Sequence, residues 1–185
     1  MKTTITFNDV LLVPKYSEVV SRKTIDLSVD LGKNIKLGCP FISSPMDTVT
    51  ETNMSVAMSN NGGMGIIHRY NTIEEQSSLI RDSLESGADF VGAAIGVSGD
   101  YLERAKSLFE SGARVLCVDV AHGHHVMMKS ALRNLRDTFG DTVHIMAGNV
   151  ATLEGFNDLS DWGADSVRIG IGGGSICSTR IQTGH

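Results

Sequence analysis

From residue 39 onward, short apolar runs alternate with longer amphipathic stretches. The runs at 39–44, 65–68, 90–97, 115–120, 144–148 and 166–171 predict six strands. Several are apolar on both faces and end in small or polar residues, as buried parallel strands with functional carboxyl ends do. Between them, the patterns near 50–60, 73–86, 100–111, 125–138 and 152–162 predict five helices. The second opens on a capping box, TIEE at 72–75. In the fourth, Met127, Leu132 and Leu135 are expected near one face.

The joints repeat too. SGAD at 86–89, SGAR at 111–114 and WGAD at 162–165 each link a helix end to a strand start. Glycine suits the left-handed position after a helix, and alanine lets the next strand pack closely. The first two joints are 25 residues apart and the third lies 51 further on, room for one intervening unit. Such repetition means successive βα units and a parallel sheet, hence an α/β fold. A doubly wound sheet and a (β/α)₈ barrel both remain open. Polar residues after many strands, with no G-x-G-x-x-G after the first, favour the barrel.

Composition narrows the class. Of 185 residues, 20 are glycine and 3 proline, against an average near 7% glycine. Without a G-X-Y period or a Gly/Ser tract, this excess marks tight turns and close backbone approach. Charged residues make up 20% and the net charge is −5, which argues against nucleic acid as the main ligand. No apolar run approaches the ~18 residues of a membrane span. Three scattered cysteines, Cys39, Cys117 and Cys177, form no CxxC, so a reducing, cytoplasmic setting is expected. Cys39 and Cys117 read as small buried hydrophobes.

The strand ends carry the candidate chemistry. GIGGGSICSTR at 170–180 is a Gly-rich loop after a strand, able to bring backbone amides to a phosphate, with Ser175 as an added donor. Cys177 follows among Ser178, Thr179 and Arg180, a polar and cationic setting that lowers a thiol pKa and makes a nucleophile. Asp119 can hold ribose hydroxyls from a strand end, or act as a local cap or loop acceptor. His122, His124 and His125 could suggest a metal, but H-x-H-H lacks a clear third-ligand pattern. Met46 and Met64 read as core filler.

At these residues the chain resembles the IMP dehydrogenase/GMP reductase family along its whole length. The resemblance rests on TFNDVLLVP (6–14), SSPMDTVTE (43–51), GGMGIIH (62–68), DVAHGH (119–124), AGNV (147–150) and the Cys177 loop. It implies a (β/α)₈ TIM barrel acting on purine nucleotides with a nicotinamide cofactor. By resemblance, Cys177 attacks C2 of the purine and Thr179 stands by the attacking water or leaving amine. Ser44 and Met46 match purine-side contacts, Gly174 and Ser175 the phosphate grip, and Asn149 a substrate-side position. Asp119 matches the cofactor-ribose carboxylate, with Arg168 and Gly170 on the cofactor side. The carbonyls of Gly172, Gly174 and Cys177 match a potassium site.

Two activities compete under this resemblance. An IMP dehydrogenase oxidises IMP to XMP with NAD, and a GMP reductase converts GMP to IMP and ammonia with NADPH. SPMDTVTE and GGMG favour the dehydrogenase, while QTG at 182–184 has a reductase flavour. Further readings are a purine-nucleotide-binding barrel without turnover and a different phosphate-binding barrel enzyme. Gly173 stands where proline is common and Ser178 where threonine is frequent. Only a short link joins TIEE (72–75) to FVGAAIG (90–96), where most dehydrogenases insert paired CBS modules, so no such insert is expected. The family also implies a homotetramer. Six βα units against eight make residues 1–185 the expected N-terminal part of one catalytic barrel, completed by a C-terminal segment.

Overall fold

The structure, a computed structural model, describes residue 5 and residues 9–184. Thr6, Phe7 and Asn8 of the first motif lie outside the described residues. Eight strands and six α-helices follow in order: β1 (Val29–Gly32), β2 (Ile35–Leu37), β3 (Ile42–Ser43), α1 (Thr52–Asn60), β4 (Met64–Ile67), α2 (Ile73–Glu85), β5 (Val91–Ile95), α3 (Tyr101–Glu110), β6 (Val115–Asp119), α4 (Val126–Phe139), β7 (His144–Val150), α5 (Leu153–Asp161), β8 (Ser166–Ile169) and α6 (Thr179–Thr183). Strands β3 to β8 pair in parallel in chain order. They form one curled sheet of six strands, a partial (β/α)₈ barrel. The barrel alternative is the one realised, because a sheet in strict chain order has no switch point. The six strands and first five helices fall within a few residues of their expected positions.

The recurrent joint is a Schellman motif. Ala88 N–H donates to Ser83 O and Gly87 N–H to Leu84 O, both at 3.0 Å, with Gly87 at φ +97. The same pair of bonds recurs at Gly112–Ala113 and Gly163–Ala164, with φ of +109 and +115. A fourth copy, absent from the expected set, sits at Gly62–Gly63 after α1. There alanine is barred from the second position: a Cβ on Gly63 would stand 2.6 Å from Phe41 O.

Two apolar layers flank the sheet. Outside, Ile67, Ile95, Leu116, Val118 and Ile145 pack with α2 to α5 through Ile80, Leu108, Leu132, Leu135 and Leu159. Inside, Met64, Ile66, Ala94, Val115, Cys117 and Met146 meet Ile35 and Leu37 from a β1–β2 hairpin that plugs the interior. Sequence reading missed this hairpin. Its turn, Lys33-Asn34, has φ of +53 and +63 and lacks the Asn-Gly signature of such turns. On α4 the expected face is corrected by one residue: Met128 is buried and Met127 exposed. Position 128 lies four before Leu132, on the same stripe. Among the described residues no helix is long and apolar enough to cross a membrane.

Candidate functional site

Every candidate side chain lies at or just beyond the carboxyl end of a parallel strand, the face where barrel enzymes carry chemistry. β6 ends in Asp119 and β8 carries Arg168, and the two form an ion pair through Asp119 Oδ1 and Arg168 Nη1. Arg168 also reaches Cys117 Sγ at 3.6 Å, and Arg69, just after β4, reaches Asp119 O at 3.5 Å. Strands β4, β6 and β8 alternate around the sheet, so these groups form one interior layer. Burial pushes the Cys117 thiol up to about 12, outweighing the nearby Arg168 charge. It is an inert core thiol, as expected. Cys39 is half-buried rather than buried.

Glycines let the backbone close on this layer. A Cβ on Gly148 would lie 2.6 Å from Arg168 Cβ, and one on Gly123 2.8 Å from Asn149 O. Asn149, on β7, donates from Nδ2 to Gly170 O at 2.7 Å, which ties β7 to the start of the Gly-rich loop.

That loop runs from Gly170 into α6. Arg180 Nε donates to Ile171 O at 2.9 Å, and Cys177 N–H donates to Gly174 O at 3.0 Å. Gly172 has φ +60, and a Cβ there would stand 2.7 Å from Arg180 Cγ. Cys177 is exposed, its Sγ 3.1 Å from Thr179 Oγ1. The Thr179 hydroxyl and backbone amide, then the Arg180 charge, hold its thiol below the ordinary value. The arrangement is an accessible thiolate-forming cysteine beside a hydroxyl, behind a run of bare glycine amides. It can attack an electrophilic carbon of a ligand anchored by those amides.

Ser44 and Met46 lie on the other edge of the sheet, after β3. Met46 is 43% exposed rather than core, whereas Met64 is fully buried. Their loop makes no hydrogen bond to the Cys177 loop among the described residues. The histidine cluster separates: His124 Nε2 pairs with Asp158 at 2.7 Å, and His125 caps α4 by accepting from Met127 N–H. No metal-like group forms there among the described residues.

Asp47, expected among the polar groups after the first strand, converges with Glu51 and His68, which sequence reading did not single out, their carboxylate and ring atoms lying within 4.8 Å of one another. A cavity of about 410 Å³ lies beside them, between the β3–α1 loop and α2. His68 is 3% exposed, and its Nδ1 accepts the Tyr70 N–H at 3.2 Å. In the neutral ring this leaves the proton on Nε2, which donates to Glu51 Oε1 at 3.2 Å. An Nε2 that carries a proton offers no lone pair to a metal, so His68 is a donor here. The signal in the sequence was a histidine closing an otherwise apolar strand.

Comparison with known proteins places this geometry. The family model described as IMP dehydrogenase / GMP reductase domain matches residues 4–185. The chain is 31% identical to an inosine-5'-monophosphate dehydrogenase of Nitrosopumilus maritimus over 306 positions, covering 99% of this chain and 64% of that protein. It is 37% identical to one from Cryptosporidium parvum over 222 positions, covering 97% of this chain and 54% of that protein. With one from Bacillus subtilis the identity is 29%, over 99% and 63%. The chain therefore spans somewhat over half the length of the curated relatives it matches. With the partial barrel and the Cys177 loop in place, the match over nearly every residue establishes that the chain belongs to the IMP dehydrogenase / GMP reductase family.

Proposed function

We propose that this chain supplies the nucleotide and nucleophile side of an IMP dehydrogenase, which oxidises IMP to XMP. The observation that carries it is Cys177: exposed, activated by Thr179 and Arg180, and set directly after a glycine loop suited to a phosphate. The names of the relatives favour the dehydrogenase over the GMP reductase. The Cys177 thiolate attacks purine C2 and forms a C–S bond. Loss of hydride from C2 gives a thioimidate, and water then replaces the sulfur, releasing XMP and the free thiol. NAD, when bound, accepts that hydride.

Ser44, Met46 and Asn149 would face the purine, and the amides around Gly174 with Ser175 its phosphate. The fit to a cofactor ribose rests on Asp119: Arg168 takes Oδ1, leaving Oδ2 to accept two hydroxyls. Arg168 and Gly170 complete that side. The carbonyls of Gly172, Gly174 and Cys177 would hold potassium, since backbone carbonyls replace its hydration shell. A C-terminal segment would close the barrel between β8 and β3, and the closed barrels would assemble as a homotetramer. The 306-position alignment against 185 residues here supports a chain that passes from α2 to β5 without a CBS insert. Free thiols suit a cytoplasmic setting.

The test is intact-mass spectrometry of the full chain with IMP and NAD, together with NADH formation. A mass increase of one nucleotide is expected on wild type and not on Cys177→Ala. A folded wild type with no adduct overturns the proposal. Turnover with GMP and NADPH instead would assign the reductase, and IMP binding undiminished in Cys177→Ala with no NADH from wild type would indicate a non-catalytic barrel.

A further inference from the structure

The loop between β3 and α1 is held in an unusual shape. Thr48 sits at φ +59, a left-handed conformation that a β-branched residue keeps only where its surroundings over-determine it. Two anchors do so. Thr50 is fully buried, and its hydroxyl donates to Ser44 O at 2.6 Å and lies 2.9 Å from Ser43 Oγ. Its carbonyl accepts the His68 N–H at 3.4 Å. The second anchor is the His68 side chain. Glu51 is the N-cap of α1, yet its carboxylate caps no helix N–H and turns to His68 Nε2 instead. Between the anchors, Met46 O accepts the N–H groups of Val49 and Thr50, and Ser44 O accepts that of Met46.

We infer that His68 and Glu51 form a clasp that positions the Ser44–Met46 loop for the nucleotide. His68 is thus a positioning residue, acting through the loop and not on the reacting atoms. The nucleotide part rests on the proposed function; the clasp itself does not. Its chemistry is separable by substitution. Glutamine can extend an N–H toward Glu51, as Nε2 does, but gives up the local acceptor for Tyr70. Asparagine does the reverse, since its short carbonyl accepts the N–H two residues on and cannot reach Glu51.

The test compares His68→Asn and His68→Gln in the full chain by hydrogen exchange at Met46, Val49 and Thr50, with the β6 amides as a control, and by IMP affinity. His68→Asn should speed exchange in the loop about tenfold and weaken IMP binding about tenfold, the scale of one lost hydrogen bond. His68→Gln should restore both to within about threefold of wild type. Loop exchange unchanged in His68→Asn overturns the clasp, with or without ligand. So does equal loss in both variants, which would mark a merely structural histidine. Wild type that shows the exchange pattern but binds no IMP supports the clasp and removes the proposed function.

Discussion

Two cysteines in one chain show how environment alone assigns a role. Cys117 and Cys177 differ in burial and in who donates to them. Desolvation dominates at Cys117 and keeps it a thiol, although a guanidinium lies 3.6 Å away. At Cys177 water and the Thr179 donors favour the thiolate. Thr179→Val removes the hydroxyl while keeping the amide, so the Cys177 pKa should rise toward its ordinary value. Alkylation by iodoacetamide near neutral pH should slow severalfold, with the midpoint of the rate profile moved to higher pH. Arg180→Ala should shift it less, because its charge is the smaller influence. A single fast-reacting thiol is expected in folded wild type besides the half-buried Cys39, and Cys177→Ala should abolish it. Thr179 was legible in the sequence by its place two residues after the cysteine. The Asp119–Arg168 pair was not, since 49 residues separate the partners and only strand parity brings them together.

At the scale of elements, what could be read was what repeats. The apolar period and the Gly-Ala joint located six strands and five helices, because each βα unit must bury the same two faces. The β1–β2 hairpin and α6 escaped, being too short for a period to develop. Yet Val29, Leu31, Ile35 and Leu37 do alternate about the 32–34 turn. Glycines that make room are the other hidden layer. Gly65 on β4 faces α1 so closely that a Cβ would lie 2.7 Å from Ser55 Cα. Backbone there cannot swing aside, so Gly65→Ala should cost about 1–3 kcal/mol, the usual range for overpacking. It should also displace α1 and with it the Ser44–Met46 loop. Thr72→Ala breaks only the capping box on α2, in which Thr72 Oγ1 accepts from Glu75 N–H and Glu75 accepts from Thr72 N–H. It should cost about 1 kcal/mol and leave IMP affinity unchanged. Urea unfolding of the two variants, read beside nucleotide binding, checks both.

At the scale of the molecule, the two ends of the sheet are built for different tasks. The carboxyl end collects Arg69, Asp119, Asn149 and the Cys177 loop, while the amino end is sealed by the hairpin. Lys33 at its turn pairs with Asp141 and Asp165, and Arg136 bridges Asp165 to Gly140 O and Gly163 O. His144 is buried at this end, 2.8 Å from Ser166 Oγ. Desolvation there lowers its pKa, against a smaller opposing pull from the Asp165 charge. The folded chain thus holds His144 neutral at pH values where the unfolded chain, near 6.5, already binds a proton. Stability is fully present above that value and falls as pH drops from 6.5 toward the lower folded pKa, where the loss levels off. The slope for one such group cannot exceed about 1.4 kcal/mol per pH unit. Asp26, Glu75 and Asp141 also have lowered values, but they begin from carboxylate pKa values and act only in stronger acid. Urea unfolding followed from pH 8 downward should therefore show a first decline that begins near 6.5 and precedes the carboxylate region. His144→Gln, which cannot gain the charge, should flatten that first decline and leave the second. A wild-type profile flat until the carboxylate range would show that the sealed end does not hold His144 neutral.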